Sequence, residues 1–237
     1  MKNYIKIENL NFKYTEKYIL ENINISINKG ECIGLLGSNG SGKTTLINCI
    51  LGELNTEGKI TLLGKNPDSN DIELKQNLGI VLDNDILLDF LTLNEYLFFI
   101  GQSYKIEIKD LKENIDKWIK YFELEDHKNR LLKFFSHGMR KKTQIIAALL
   151  NNPKILIVDE PTNGLDIEMI YNLKNLINNL KNKEMTIIIS THNLDFVESV
   201  CDSVAIISKG NIKEKLYIKE IGESLEETFI KEIRNSI

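Results

Sequence analysis

Apolar and polar residues alternate over residues 4–12 and again over 19–27, the two-residue period of half-buried strands, and a polar segment at 13–18 joins them. The alternation predicts an antiparallel layer. Residues 32–36 are instead an unbroken apolar run leading into a glycine, and residues 45–51 carry apolar positions at helical spacing. Strand, loop and helix are therefore expected in that order. Further short strands are predicted at 58–63 and 78–82. Over 93–104 and 111–122 the spacing changes to three and four, so the middle of the chain reads as helical. Beyond it, β-branched runs at 155–158, 186–190 and 204–208 are separated by helical patterns at 168–180 and 194–200. Strands alternating with helices imply a parallel sheet. The whole pattern is that of an α/β core interrupted by a mainly helical insertion, with no repeat, low-complexity tract or linker to separate the parts.

Composition narrows the class. The chain has 237 residues, 42 % of them apolar, which suffices for a sizeable core. Its longest apolar runs, at 145–150 and 155–158, fall far short of the ~18 residues that span a bilayer, so no direct membrane insertion is expected. Residues 1–10 hold Glu8 and alternating isoleucines, and read as a strand, not a secretory signal. Cys32, Cys49 and Cys201 stand far apart in apolar settings, which argues for small core residues in a reducing compartment and against a disulfide framework or zinc site. A net charge of -4 offers nucleic acid no overall attraction, and none is expected as a partner. Arginine occurs only at Arg130, Arg140 and Arg234 among many lysines, a bias of AT-rich coding sequence that points to a bacterial source.

Chemistry enters at residues 37–44. Gly37, Ser38, Asn39, Gly40, Ser41, Gly42, Lys43 and Thr44 fit G-x-x-x-x-G-K-S/T between an apolar strand and a helix, the context this phosphate loop requires. The glycines let the backbone wrap phosphates so that N–H groups and a helix N-terminus face the negative charge. Lys43 is expected on the β and γ phosphates, Thr44 on Mg2+, and Thr45 on the α-phosphate. The loop alone leaves kinases, GTPases, recombinases and transport ATPases open.

The apolar run 155–158 ends in Asp159 and Glu160, which puts two acids at the carboxyl end of the parallel sheet, where ligands bind. Asp159 is expected to hold Mg2+ through Thr44 or water, and Glu160 to polarise the water that attacks the γ-phosphate. The stretch Asp159, Glu160, Pro161, Thr162, Asn163, Gly164, Leu165, Asp166 resembles the Walker B and D-loop of ABC ATPases. Ser136, His137, Gly138, Met139 and Arg140 resemble the signature motif in its S-x-G-M form, and Ser190, Thr191 and His192 the switch-histidine segment. Tyr14 stands where that family stacks an aromatic ring on adenine, and residues 224–229 resemble a frequent start of a C-terminal helix. The resemblance covers roughly residues 5–229.

It implies a P-loop NTPase (RecA-like) core with an antiparallel β layer and an inserted helical subdomain, the ABC ATPase fold. The implied division is residues 1–82 and 152–217 for the nucleotide-binding core, 83–151 for the helical subdomain and 218–237 for a C-terminal helix. It further implies ATP and Mg2+ as ligands, Glu160, His192 and Lys43 as catalytic residues, and nucleotide contacts from Ser136, Gly138 and Asp166. Two such domains would sandwich ATP, each completing the other's site, and integral membrane permease subunits would hold the pair at the inner face of the cell membrane. Two positions depart from the family pattern. Asp83 occupies the place of a glutamine, where it remains a hard oxygen ligand for Mg2+ but adds negative charge, a feature similar to some exporters of peptide antibiotics. His137 occupies the place of a glycine. The competing readings are a soluble non-transport ABC ATPase acting on nucleic acid or the ribosome, a small-molecule kinase or GTPase, and a regulator that binds ATP without hydrolysis. No second cassette or long coiled-coil insertion supports the first, and no N-K-x-D segment the second.

Overall fold

A computed structural model describes residues 3–69, 71–84 and 86–234; Met1, Lys2, Asn70, Asp85 and residues 235–237, which include both ends of the expected division, lie outside the described residues. The alternating segments form strands β1 (Asn3–Lys13) and β2 (Tyr18–Asn28), paired antiparallel. The apolar run becomes β3 (Cys32–Leu36), followed by helix α1 (Lys43–Ile50). Strand β4 (Glu57–Leu62) then returns to β1, giving a three-stranded sheet of order β2-β1-β4.

A short helix α2 (Ile72–Gln76) leads to β5 (Leu78–Val81). Helices α3 (Leu93–Ser103), α4 (Ile108–Tyr121) and α5 (His137–Leu149) come next, before the chain returns to the sheet at β6 (Ile155–Asp159). Helix α6 (Ile167–Asn182), strand β7 (Thr186–Thr191), helix α7 (Leu194–Val200) and strand β8 (Ser203–Ser208) alternate as the periodicity predicts. Strand β9 (Asn211–Tyr217) and helix α8 (Leu225–Arg234) finish the described chain. The second sheet has order β5-β6-β7-β3-β8-β9, parallel except for β9.

The strand runs read as continuously apolar because both faces of this sheet are covered. Alternate residues go to two separate cores. Cys32, Leu36, Leu156, Val158, Ile187 and Ile189 pack with the helices, while Ile33, Leu35, Ile155, Ile157 and Ile188 pack against α1 and the three-stranded layer. Leu97 of α3 and Leu111 and Ile115 of α4 share the first of these cores with the sheet residues. The inserted helices therefore have no core of their own.

Two elements were not anticipated. Helix α2 is only five residues long, capped by Asp71, whose side chain accepts from Leu74 N at 2.9 Å. Strand β9 is reached through Lys209 and Gly210, both at positive φ (47° and 78°), the conformation of a tight hairpin turn. The Lys-Gly pair after an apolar run was its sequence signal.

Candidate nucleotide-binding and catalytic site

In the order β6-β7-β3 the carboxyl ends of three adjacent strands meet, and the phosphate loop leaves from the third. Register sets the rows: Leu35 pairs with Ser190 and Ser190 with Asp159, so one residue further on Leu36, Thr191 and Glu160 stand together. The loop itself depends on glycine at two places. A Cβ on Gly37 would lie 2.4 Å from Ser41 Oγ and 2.6 Å from the Ile207 carbonyl. Gly42 has φ 109°, and a Cβ there would meet Leu20 at 2.9 Å. Gly42 is also the N-cap of α1, which has no side-chain cap and no acid in its first turn. The first N–H groups of the helix thus face the loop without a side-chain acceptor, a ready anion site.

Lys43 is buried at 7 % exposure, with Nζ donating to Gly37 O at 2.8 Å and Ser38 O at 3.3 Å. Its charge lies 3.9 Å from Glu160 Oε1. Asp159, 2 % exposed, accepts from Thr44 Oγ1 at 3.0 Å on one oxygen and from Ser190 Oγ on the other. Glu160 accepts from Thr191 Oγ1 at 3.2 Å, and His192 Nδ1 stands 3.2 and 3.1 Å from its two oxygens. Because a carboxylate only accepts, this contact assigns the proton to Nδ1. The backbone of Glu160 is left-handed, φ 44°, and its N–H is fixed on Ser190 O at 2.9 Å. A side chain in that region costs about 1–2 kcal/mol, a strain held by the surrounding bonds.

Lys43, Thr44, Asp159, Glu160 and His192 therefore lie together, with Thr44 bonded to Asp159, His192 to Glu160, and Lys43 close to Glu160 as an ion pair. Ser190 and Thr191, which the sequence reading named without a role, belong with them; hydroxyls ending a buried β-branched run were the available signal. The other expected residues stand apart. Tyr14 is 62 % exposed just past β1, its ring edge-on to Phe12 at 4.7 Å between centroids. Asp83 accepts from Asn163 Nδ2 at 3.1 Å. Asp166 caps α6 by accepting from Met169 N at 2.8 Å. Ser136 caps α5 by accepting from Met139 N at 3.3 Å. Beside Gly138 an added Cβ would find only Leu165, at 3.9 Å, so the start of α5 is open. His137 fits without crowding because its ring lies over Gly164, where a Cβ would fall 2.3 Å from it.

A parallel sheet with a phosphate loop at its centre and paired acids on the next strand but one defines a P-loop nucleoside triphosphatase. The family described as ABC transporter matches residues 20–163. The chain is 35 % identical, over 92 % of its length and 92 % of the relative's, to the ABC transporter ATP-binding protein NatA of Bacillus subtilis. It is 31 % identical, over 94 % and 92 %, to the SkfA peptide export ATP-binding protein SkfE of the same organism. Among solved structures, an ATP-binding subunit of an ABC transporter aligns at TM-score 0.91 with 29 % identity, covering 96 % of this chain and 98 % of that one. The ATP-binding cassette MJ0796, a dimer bound to ADP and Pi, aligns at 0.81 with 25 % identity, covering 90 % and 98 %. The chain belongs to the ABC transporter family and is an ATP-binding, ATP-hydrolysing subunit of it. No helix among the described residues is long and apolar enough to cross a membrane.

Proposed function

We propose that this subunit powers export, that two copies, or this chain and a related one, close over two ATP molecules, and that each site is completed by the partner's Ser136 and Gly138. The observation that carries the reading is an asymmetry. The acid and phosphate-loop half is bonded within the chain, whereas the start of α5, a helix N-terminus suited to a γ-phosphate, is open. The MJ0796 cassette supports the pairing, since it is a dimer with ADP and Pi. The direction rests on SkfE, named as a peptide export protein.

In this mechanism Lys43 leaves the carbonyls of Gly37 and Ser38 for the β and γ phosphates, and the N–H groups of the loop and α1 receive the rest of the charge. Tyr14 stacks on adenine, Thr45 donates to the α-phosphate, and Asp166 stays near the subunit boundary through its cap. Thr44 Oγ1 and Asp159 Oδ2, 3.0 Å apart, fit Mg2+, which takes one or two protein oxygens beside phosphate and water. The ion supplies charge neutralisation on the phosphates. Glu160 accepts the proton of the attacking water, and His192 holds that carboxylate in place beside the position of the γ-phosphate. Asp83 is a weaker candidate for the metal, being already bonded to Asn163.

The core, in this reading, is residues 1–82 and 152–217, with 83–151 as the helical subdomain and 218–237 as a C-terminal helix. A groove of about 220 Å3, lined by Ile80, Leu82, Asn84, Ile86, Tyr96 and Gln144, is where a permease segment docks at the cytoplasmic face of the membrane. The decisive experiment is Glu160→Gln. Turnover is expected to fall by about 10²–10⁴-fold with ATP binding retained. Wild-type turnover would remove Glu160 from catalysis.

A further inference from the structure

The loop at residues 82–84 is gripped from two elements. Lys141 of α5, 1 % exposed, donates from Nζ to Leu82 O at 3.0 Å. Gln144, three residues on and on the same helical face, donates from Nε2 to Asn84 O at 3.3 Å. The carboxylate between those two carbonyls is taken by Asn163, and Asn163 N bonds the Glu160 carbonyl at 3.4 Å. A continuous series of hydrogen bonds thus runs from the helix that opens at Ser136 to Glu160, inside one chain. Burying an ammonium is costly, and an apolar side chain of the same length would pack α5 without that cost. Packing is therefore a poor reason for a lysine at this place. Holding a particular backbone carbonyl is a better one.

We propose that Lys141 and Asn163 are positioning residues for hydrolysis: Lys141 fixes the Asp83 loop to α5, and Asn163 passes the position of that loop to Glu160. When the signature end of α5 engages a partner's phosphate, the shift of the helix reaches the base through three bonds. The inference rests on the roles given above to Glu160 and to the start of α5. It adds two residues to which the proposed function assigns no role.

The test is steady-state ATP hydrolysis by the full chain, with kcat and KM measured separately and folding followed by thermal melting. Lys141→Met and Asn163→Ala are each expected to lower kcat about tenfold with KM for ATP within about twofold, as for groups acting on the transition state alone. Lys141→Arg, which keeps a donor, should recover most of the rate. Because the two act in series, the double variant should be no slower than the slower single. Unchanged kcat in either variant, a loss confined to KM, or losses that multiply in the double would overturn the proposal. Should Lys141→Met melt below the assay temperature, Asn163→Ala alone decides, since its side chain is partly exposed and lies in a loop. Glu160→Gln is run beside them. If that variant turns over at the wild-type rate, the assignment of Glu160 has failed, whatever Lys141 does.

Discussion

The two ends of the site are built in opposite ways. At the acid end, four side chains from α1, β7 and the residue after β7 converge on Asp159 and Glu160, and every oxygen of those two carboxylates has a partner. At the signature end, Ser136 caps its own helix and Gly138 faces open space. The first arrangement is rigid and pre-set for one reaction, since its donors are fixed by sheet register before any ligand arrives. The second has a helix terminus with a Ser136 cap and room beside Gly138. Under the pairing proposed above, a site divided this way would keep its chemistry intact and idle until a second subunit supplied the missing face.

Among changes that leave Glu160 in place, breaking the open end should show the largest effect. Gly138→Asp places a carboxylate at the α5 N-terminus without disturbing α5, because a Cβ fits there. Its charge should repel a facing phosphate and cut turnover by about 100-fold or more, the scale of losing an oxyanion-stabilising group. ATP binding to the separate subunit, read by equilibrium titration, should be unaltered. Wild-type turnover in this variant would mean that no partner phosphate meets that terminus.

Within the closed end, removing a single donor to Glu160 should have a smaller effect. Thr191→Val removes one of the donors to Glu160 while keeping shape, and should lower kcat by about tenfold, the worth of one hydrogen bond to a charged group. An equal loss in KM would show that Thr191 serves binding instead of the base.

Away from both ends the effect should be smallest and purely structural. Thr92→Ala breaks the capping box of α3, where Thr92 and Glu95 bond reciprocally, and should cost about 1 kcal/mol in a urea titration with kcat unchanged. Glu95 is held below the usual carboxylate range by the Thr92 backbone N–H and then its hydroxyl. Its stabilising share is therefore present above the ordinary glutamate range and lost as pH falls through the lowered value, so the two proteins should converge in acid. A gap that widens in acid would contradict the box.

Much of this was legible before any coordinates. The strand, loop and helix around Gly37–Thr44 follow from residues close in sequence: an apolar run, glycines that alone tolerate the turn at Gly42, and a helical period behind them. Asp159 and Glu160 were readable for the same reason, being the polar end of a buried strand. Strand β9 was missed because its alternation is broken by an irregularity in its pairing with β8, although Lys209 and Gly210 marked the turn. Lys141 carried no signal at all. A lysine on an amphipathic helix reads as solvent-facing, and only the approach of residues 82–84 makes that position interior.

The residue order by itself determined the alternation of elements, the phosphate loop and the identity of the acids, because each depends on backbone preferences and periodicities that act over a few neighbours. Tertiary structure decided which groups meet. Thr44 finds Asp159 across 115 positions, His192 finds Glu160 across 32, and Asn163 finds Asp83 across 80. Those meetings are set by strand order and by two cores that pack opposite faces of one sheet, and hydrophobic burial is proportional to area and blind to partner. A sequence pattern therefore says that a strand is buried; the assembled fold says what stands at its end.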